Sequence, residues 1–151
     1  MTQHNTAQHY TGTKQLKAMP MTRLDYNVYR GWSLPADENG ADDGYLVEYT
    51  DGGAPNHPAH TGYVSWSPKA QFEAAYLPMG HVDHLAPHQQ RVVGEKVELD
   101  DKLTKLRAFL EGKAKELVPA AEYQRMKLQA DAMGVYSDVL AQRIAAFTEV
   151  A

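Results

Sequence analysis

The chain has 151 residues, 15 of them lysine or arginine and 19 aspartate or glutamate, which leaves a formal charge of -4. That balance does not suit a binder of DNA or RNA polymers, since neutralising phosphates needs a basic surface, but a few local Arg or Lys side chains can still hold a small anion. There is no cysteine, which excludes disulfides, thiolate metal sites and Cys nucleophiles and is compatible with a reducing cytoplasm. No apolar run approaches the roughly 20 residues of a membrane span, and no basic stretch leads into a secretory core. A cytosolic protein without a membrane partner is expected. This length buries one respectable core or two small ones, and two small ones favour oligomerisation.

Residues 1–10 are polar, with His4, Asn5 and His9 among Thr and Gln, and read as a flexible tail. Thr11 to Met21 suits an edge strand or extended segment interrupted by Pro20, which cannot donate to a ladder. Thr22 can cap a helix from Arg23 to Arg30 that Gly31 stops. Ser33 to Gly44 is turn chemistry throughout and predicts an exposed acidic loop. Tyr45 to Thr50 alternates as a strand, and a long loop from Asp51 to Thr61 should join it antiparallel to a strand over Tyr63 to Trp66. Ser67 is placed to cap a further helix with Pro68 at its first position, and Phe72 and Tyr76 then share one face, expected to be core. These elements make a small antiparallel sheet domain with short helices over 11–78, followed by a linker over 79–87.

From 88 to 149 the pattern predicts a long antiparallel helical hairpin, so the fold class is α+β. Val92, Lys96, Leu99, Leu103, Leu106 and Leu110 form a heptad stripe with one polar interruption, and Gly112 and Pro119 break the helix. Met126, Ala130, Met133, Leu140, Ile144 and Phe147 repeat the stripe, with Ser137 in its gap. An isolated pair of helices that long buries little surface, so a homo-oligomer through the hairpin is expected.

Two clusters combine aromatic and cationic side chains. Tyr63, Trp66 and Lys69 can offer a stacking face for a base and an ammonium for a phosphate. Arg23 and Arg30 lie seven apart on one side of a two-turn helix beside Trp32, so both guanidinium groups could reach one bis-anionic ligand. In the hairpin, Arg91 and Lys96 are further candidates, and Lys96 stands out because it occupies a stripe position, where a cation snorkels, specifies an oligomer or meets an anion. The competing explanation for all of these is ordinary core packing or solvated helix surface.

A metal site is not expected. His81, His84 and His88 have spacings that could share zinc on a helix, but Pro87 should start the helix between them and spoil the face. The loop with Asp37, Asn39, Asp42 and Asp43 fails the calcium-loop spacing. No phosphate loop, nucleophile elbow or paired carboxylates can be singled out, so neither a catalytic residue nor a cofactor is expected and the chain is read as non-enzymatic.

The segments PMTRLDYNVYRGW at 20–32, DGYLVEY at 43–49 and GYVSWSPK at 62–69 resemble a small domain recurrent in tailed-phage and prophage proteins. In related phage proteins that domain precedes various partners, among them a domain of the Thoeris anti-defence class. The remainder, from His88 through Glu98 to Tyr136 and Ile144, resembles a phage helical-hairpin family. Its architecture is similar to phage sponges that sequester the nucleotide signals of CBASS and Thoeris immunity, although their Trp-Ala-Asn-rich second helix is not found here. The resemblance implies a non-enzymatic anti-defence protein in the cytoplasm of an infected bacterial host. Its partner would be a cyclic nucleotide or a cyclic ADP-ribose-like signal, bound by Arg23, Arg30, Trp32, Tyr63, Trp66, Lys69, Arg91 and Lys96. The alternative is an oligomeric interaction protein that docks on a host or phage protein.

Overall fold

The computed structural model describes residues 6–147. Half of the tail expected over 1–10 and the last two positions of the hairpin expected to reach 149 lie outside the described residues. The fold is α+β, as the periodicities predict, and the chain divides into two compact units between Tyr76 and Leu77.

The first unit runs β1 (Lys17–Pro20), α1 (Arg23–Arg30), β2 (Gly44–Tyr49), β3 (Tyr63–Pro68) and α2 (Lys69–Ala75). Its strands form one antiparallel sheet in the order β1-β2-β3. Of the extended segment expected from Thr11, Lys17–Pro20 alone pairs as a strand. Helix α1 starts as its sequence demands, with the Thr22 hydroxyl accepting from the Asp25 amide at 3.1 Å, and ends on Gly31 in the left-handed region at φ 72. That conformation suits glycine because it has no Cβ to clash.

Leu46 and Val64 point to the same face of the sheet and bury Tyr26 of α1 between them, with Met21 and Trp66 packed at the margin. The indole of Trp66 lies over Gly44, where a Cβ would come within 2.3 Å of the ring and 2.4 Å of the Ser67 carbonyl oxygen. Gly44 therefore sets how closely Trp66 can settle on the sheet. On the opposite face Tyr45 stacks on Phe72 at 4.3 Å and Phe72 on Tyr76 at 5.0 Å. Phe72 and Tyr76 are half-buried in this ladder rather than enclosed, which corrects their expected place in the core. Helix α2, which carries them over this face, has no fully buried residue.

Two edges of the sheet carry specific chemistry. The amide of Val64 donates to the Asn56 side-chain oxygen at 2.7 Å, and the Asn56 amide donates to the Val64 carbonyl at 2.9 Å. Both outward polar groups of Val64 are thereby satisfied by one side chain. Pro20 and Pro68 close the outer strands without a backbone N–H. The expected Ser67 cap does not form, because β3 continues through Pro68 with Ser67 paired to Tyr45, and the Lys69 amide donates instead to the Asp43 carbonyl at 3.0 Å.

The second unit is a hairpin of α3 (Pro87–Glu111) and α5 (Ala120–Ala146), joined through the short α4 (Ala114–Leu117). Pro87 begins α3, and the Gln89 side chain accepts from the Ala86 amide at 3.0 Å. Val92 and Leu103 of α3 and Ala130 and Leu140 of α5 are buried, with the other expected stripe positions at least partly covered. Ala114 is fully buried at the turn.

Both tryptophans lie in the first unit, so their fluorescence reports on its unfolding. Leu46→Ala should lower the unfolding free energy read this way in urea by about 2–5 kcal/mol, the range for truncating an enclosed leucine. A loss well under about 1 kcal/mol would show that Leu46 is not central to this core.

Candidate ligand-binding site

In the sheet unit the two expected arginines are held apart by different aromatic partners. Arg23 lies over the Trp66 ring at 4.3 Å and pairs with Asp42 at 3.4 Å and Glu38 at 3.6 Å. Arg30 lies over the Trp32 ring at 4.3 Å, and donates to the Tyr26 hydroxyl at 2.9 Å and to the Asn56 carbonyl at 3.3 Å. Both guanidinium groups thus cross-link elements of the fold. The Trp66 indole N–H is also committed, donating to the Met21 carbonyl at 2.8 Å. Trp32 remains 53% exposed and Tyr63 45% exposed, while Lys69 projects from the start of α2.

A network that sequence reasoning missed joins α1, β2 and the loop between β2 and β3. Glu48 is buried on β2 and meets His60 Nδ1 at 2.8 Å, and His60 Nε2 meets the Tyr29 hydroxyl at 2.5 Å. His57 stacks on the Tyr29 ring at 4.4 Å. A buried carboxylate needs such partners. The signal available in sequence was a glutamate at an inward strand position followed by a loop with two histidines, but the pairing is long-range. Among the described residues no group of three or more His, Cys, Asp or Glu is placed to hold a metal ion.

In the hairpin unit Lys96 occupies the seam, as its stripe position predicts, and meets polar groups of both helices. Its ammonium donates to Asp100 at 2.5 Å and to the Ser137 hydroxyl at 3.2 Å, and Ser137 donates to the other Asp100 oxygen at 2.5 Å. Ser137 fills the gap in the α5 stripe because a hydroxyl here completes the triangle. The ammonium beside Asp100, with the Ser137 hydroxyl and the more distant Arg107, holds that carboxyl below its ordinary range. Arg91 is exposed on α3. Across the hairpin Tyr136 donates to Glu95.

Beside the triangle lies an open groove of about 630 Å³, where the carboxylates of Asp100, Asp131 and Asp138 and the hydroxyls of Thr104 and Ser137 surround one guanidinium, that of Arg107. A smaller hollow of about 260 Å³ shares Arg107 and Asp131 and adds Tyr123 and Lys127. Gly134 is interior to a 27-residue helix, where glycine costs about 1 kcal/mol relative to alanine. A Cβ at this position would come within 2.9 Å of Arg107 Nη2. The missing side chain leaves room for the end of the Arg107 side chain against α5.

The fold and this groove define a two-unit chain whose hairpin presents a concave polar surface. Residues 86–146 match the family model Sequestin, a span that covers the hairpin and leaves the sheet unit outside it. No curated protein and no solved structure matches the chain.

The lowered Asp100 gives a sign for pH dependence. A carboxyl depressed in the fold contributes stability above its unfolded value of about 3.9, and that contribution is lost as pH falls through the lower folded value. Thermal melts between about pH 6 and pH 2 should therefore show a smaller acid-side loss in Asp100→Asn than in the unaltered protein. Equal losses would mean that Asp100 contributes nothing to acid stability.

Proposed function

We propose that the protein binds and sequesters a small signal molecule without cleaving it, of the cyclic nucleotide or cyclic ADP-ribose type, in a phage-infected bacterium. The observation that carries this reading is the match of the hairpin to Sequestin, a name that denotes sequestration, over the segment that holds the open polar groove. The groove is of a size that suits a nucleotide-scale ligand. Its hydroxyls and three carboxylates suit the hydroxyl and amino groups of a nucleotide, and its one guanidinium suits a phosphate. Sequestration requires only tight binding and slow release.

Self-association through the hairpin belongs to the same proposal. Leu128, Val135 and Val139 follow one another at heptad-like intervals on α5 and are 70%, 67% and 46% exposed, forming a second apolar stripe away from α3. Val135 also borders the groove. A copy packed on this stripe would remove apolar surface from water and cover the site.

A second reading is favoured by a different surface. Leu24 and Val28 lie four apart on α1 and are 46% and 68% exposed, an apolar surface suited to docking on a protein.

Melting curves with a panel of cyclic di- and trinucleotides and cyclic ADP-ribose isomers separate the two readings. A sequestered ligand at about 100 times its Kd should stabilise the fold by about 2.7 kcal/mol and raise the melting temperature. Indifference to the whole panel, confirmed by calorimetry, would reject the sequestration reading in favour of docking. For self-association, the double substitution Leu128→Lys and Val135→Lys should convert an oligomer to a monomer in sedimentation equilibrium. A monomeric unaltered protein at micromolar concentration would contradict it.

A further inference from the structure

We infer that Arg107, laid across α5 at Gly134, is the phosphate seat of the hairpin, and that with Lys127 it receives a ligand bearing two phosphate charges. The inference rests on the sequestration reading for the identity of the ligand, and on the hairpin's own geometry for the seat.

Arg107 is the residue that the two hollows of the hairpin share together with Asp131, so it stands at their junction. Its guanidinium is exposed and makes no hydrogen bond or ion pair with the described residues. Neighbouring cations are differently placed. Lys96 is consumed by Asp100 and Ser137, Lys102 pairs with Glu98 at 3.1 Å, Lys105 with Asp101 at 2.8 Å and Arg125 with Glu122 at 2.6 Å. Arg107 keeps its donors available in a concave place, and a guanidinium presents them in a planar fork that matches phosphate oxygens.

Gly134 leaves room on α5 for this side chain. Its absent Cβ opens the surface of α5 to the guanidinium, whose Nη2 lies 2.9 Å from where that atom would be. Lys127, exposed on the rim of the smaller hollow, adds a second cation, and its ammonium lies 5.8 Å from the centre of the Tyr123 ring. That half-buried ring offers an aromatic face to a base. On the side of the larger groove the exposed Thr104 hydroxyl and the Asp138 carboxylate suit the hydroxyls of a ribose. Base, phosphate and sugar groups are thus met in one continuous stretch of the hairpin. A cyclic dinucleotide and an ADP-ribose-type molecule both carry two phosphates, and both fit this order of contacts.

The test uses the full chain and two probes. First, inorganic pyrophosphate is titrated while the Nε–H resonance of Arg107 is followed by nuclear magnetic resonance, the signal being assigned by its loss in Arg107→Lys. A saturable shift is expected, and an Arg107 signal that stays in place through the titration overturns the seat. Second, cyclic di-AMP and ADP-ribose are titrated by calorimetry against the unaltered protein, Arg107→Ala, Gly134→Ala and Lys102→Ala. Whichever nucleotide binds should lose at least about tenfold in affinity in Arg107→Ala, and a smaller loss is expected in Gly134→Ala, which keeps the arginine and only shifts the end of its side chain. Melting of the Gly134→Ala hairpin should not fall, because alanine favours the helix, so lost binding there reports position rather than unfolding. Lys102→Ala, which removes an exposed cation of the same helix outside both hollows, should bind as the unaltered protein does. Binding retained in Arg107→Ala overturns the seat and leaves sequestration standing. A pyrophosphate shift at Arg107 with no nucleotide bound supports the seat and counts against sequestration of these ligands.

Discussion

The hairpin depends on how two long helices keep register along a seam that is not wholly apolar. Lys96, Asp100 and Ser137 close a triangle of hydrogen bonds across α3 and α5. A seam of leucines alone would tolerate sliding by a heptad, since each leucine meets an equivalent hole one repeat further on. Lys96 and Asp100 stay paired on α3 in any alignment, but Ser137 of α5 meets both of them in this one alone, and sliding would leave its half-buried hydroxyl without these partners. The register fixed in this way brings Arg107 opposite Gly134 and places Thr104 and Ser137 on one groove. The concave surface is thus a consequence of alignment, not of a separate cavity-forming element.

The sheet unit solves a different problem with similar means. Its enclosed apolar cluster consists of Tyr26, Leu46 and Val64, which is little for three strands and two helices. Hydrogen bonds and stacked rings connect what so small a core cannot. Arg30 joins α1 to the loop through Asn56, Trp66 reaches the Met21 carbonyl, and the Glu48–His60–Tyr29 chain ties β2 to α1. Stacking of Arg23 on Trp66 and Arg30 on Trp32 covers aromatic surface that water would otherwise meet. These engagements explain why the arginines most conspicuous in the sequence are also structural members of their unit.

Local signals were legible where the chain's own neighbours decide the outcome. Thr22 and Gly31 bound α1, Pro87 starts α3, and the hydrophobic spacing located both long helices with Lys96 and Ser137 facing the seam. Ser67 shows where such reasoning stops. Its type and position favour a helix cap, but pairing with Tyr45 keeps it in the strand, a competition settled by a residue more than twenty positions away. The helical spacing of Phe72 and Tyr76 points to a core pair, whereas the stack with Tyr45 gives them partial cover on the sheet. Arg107 and Gly134 escaped notice for the same reason. An arginine off the stripe looks like solvated surface and a glycine in a helix looks like a weakness, and their meaning appears only once α3 lies beside α5.

Asn56 has one more implication. By answering both the N–H and the carbonyl of Val64, its side chain stands where the backbone of a fourth strand would lie. A newcomer at that border would have to evict Asn56 and then find no donor at Pro68, and at the opposite border it would meet Pro20 on a strand of four residues. Growth by strand addition is therefore blocked at both ends of the sheet. Whatever multiplicity the protein attains must be built from side-chain surfaces, and its helices supply the apolar ones.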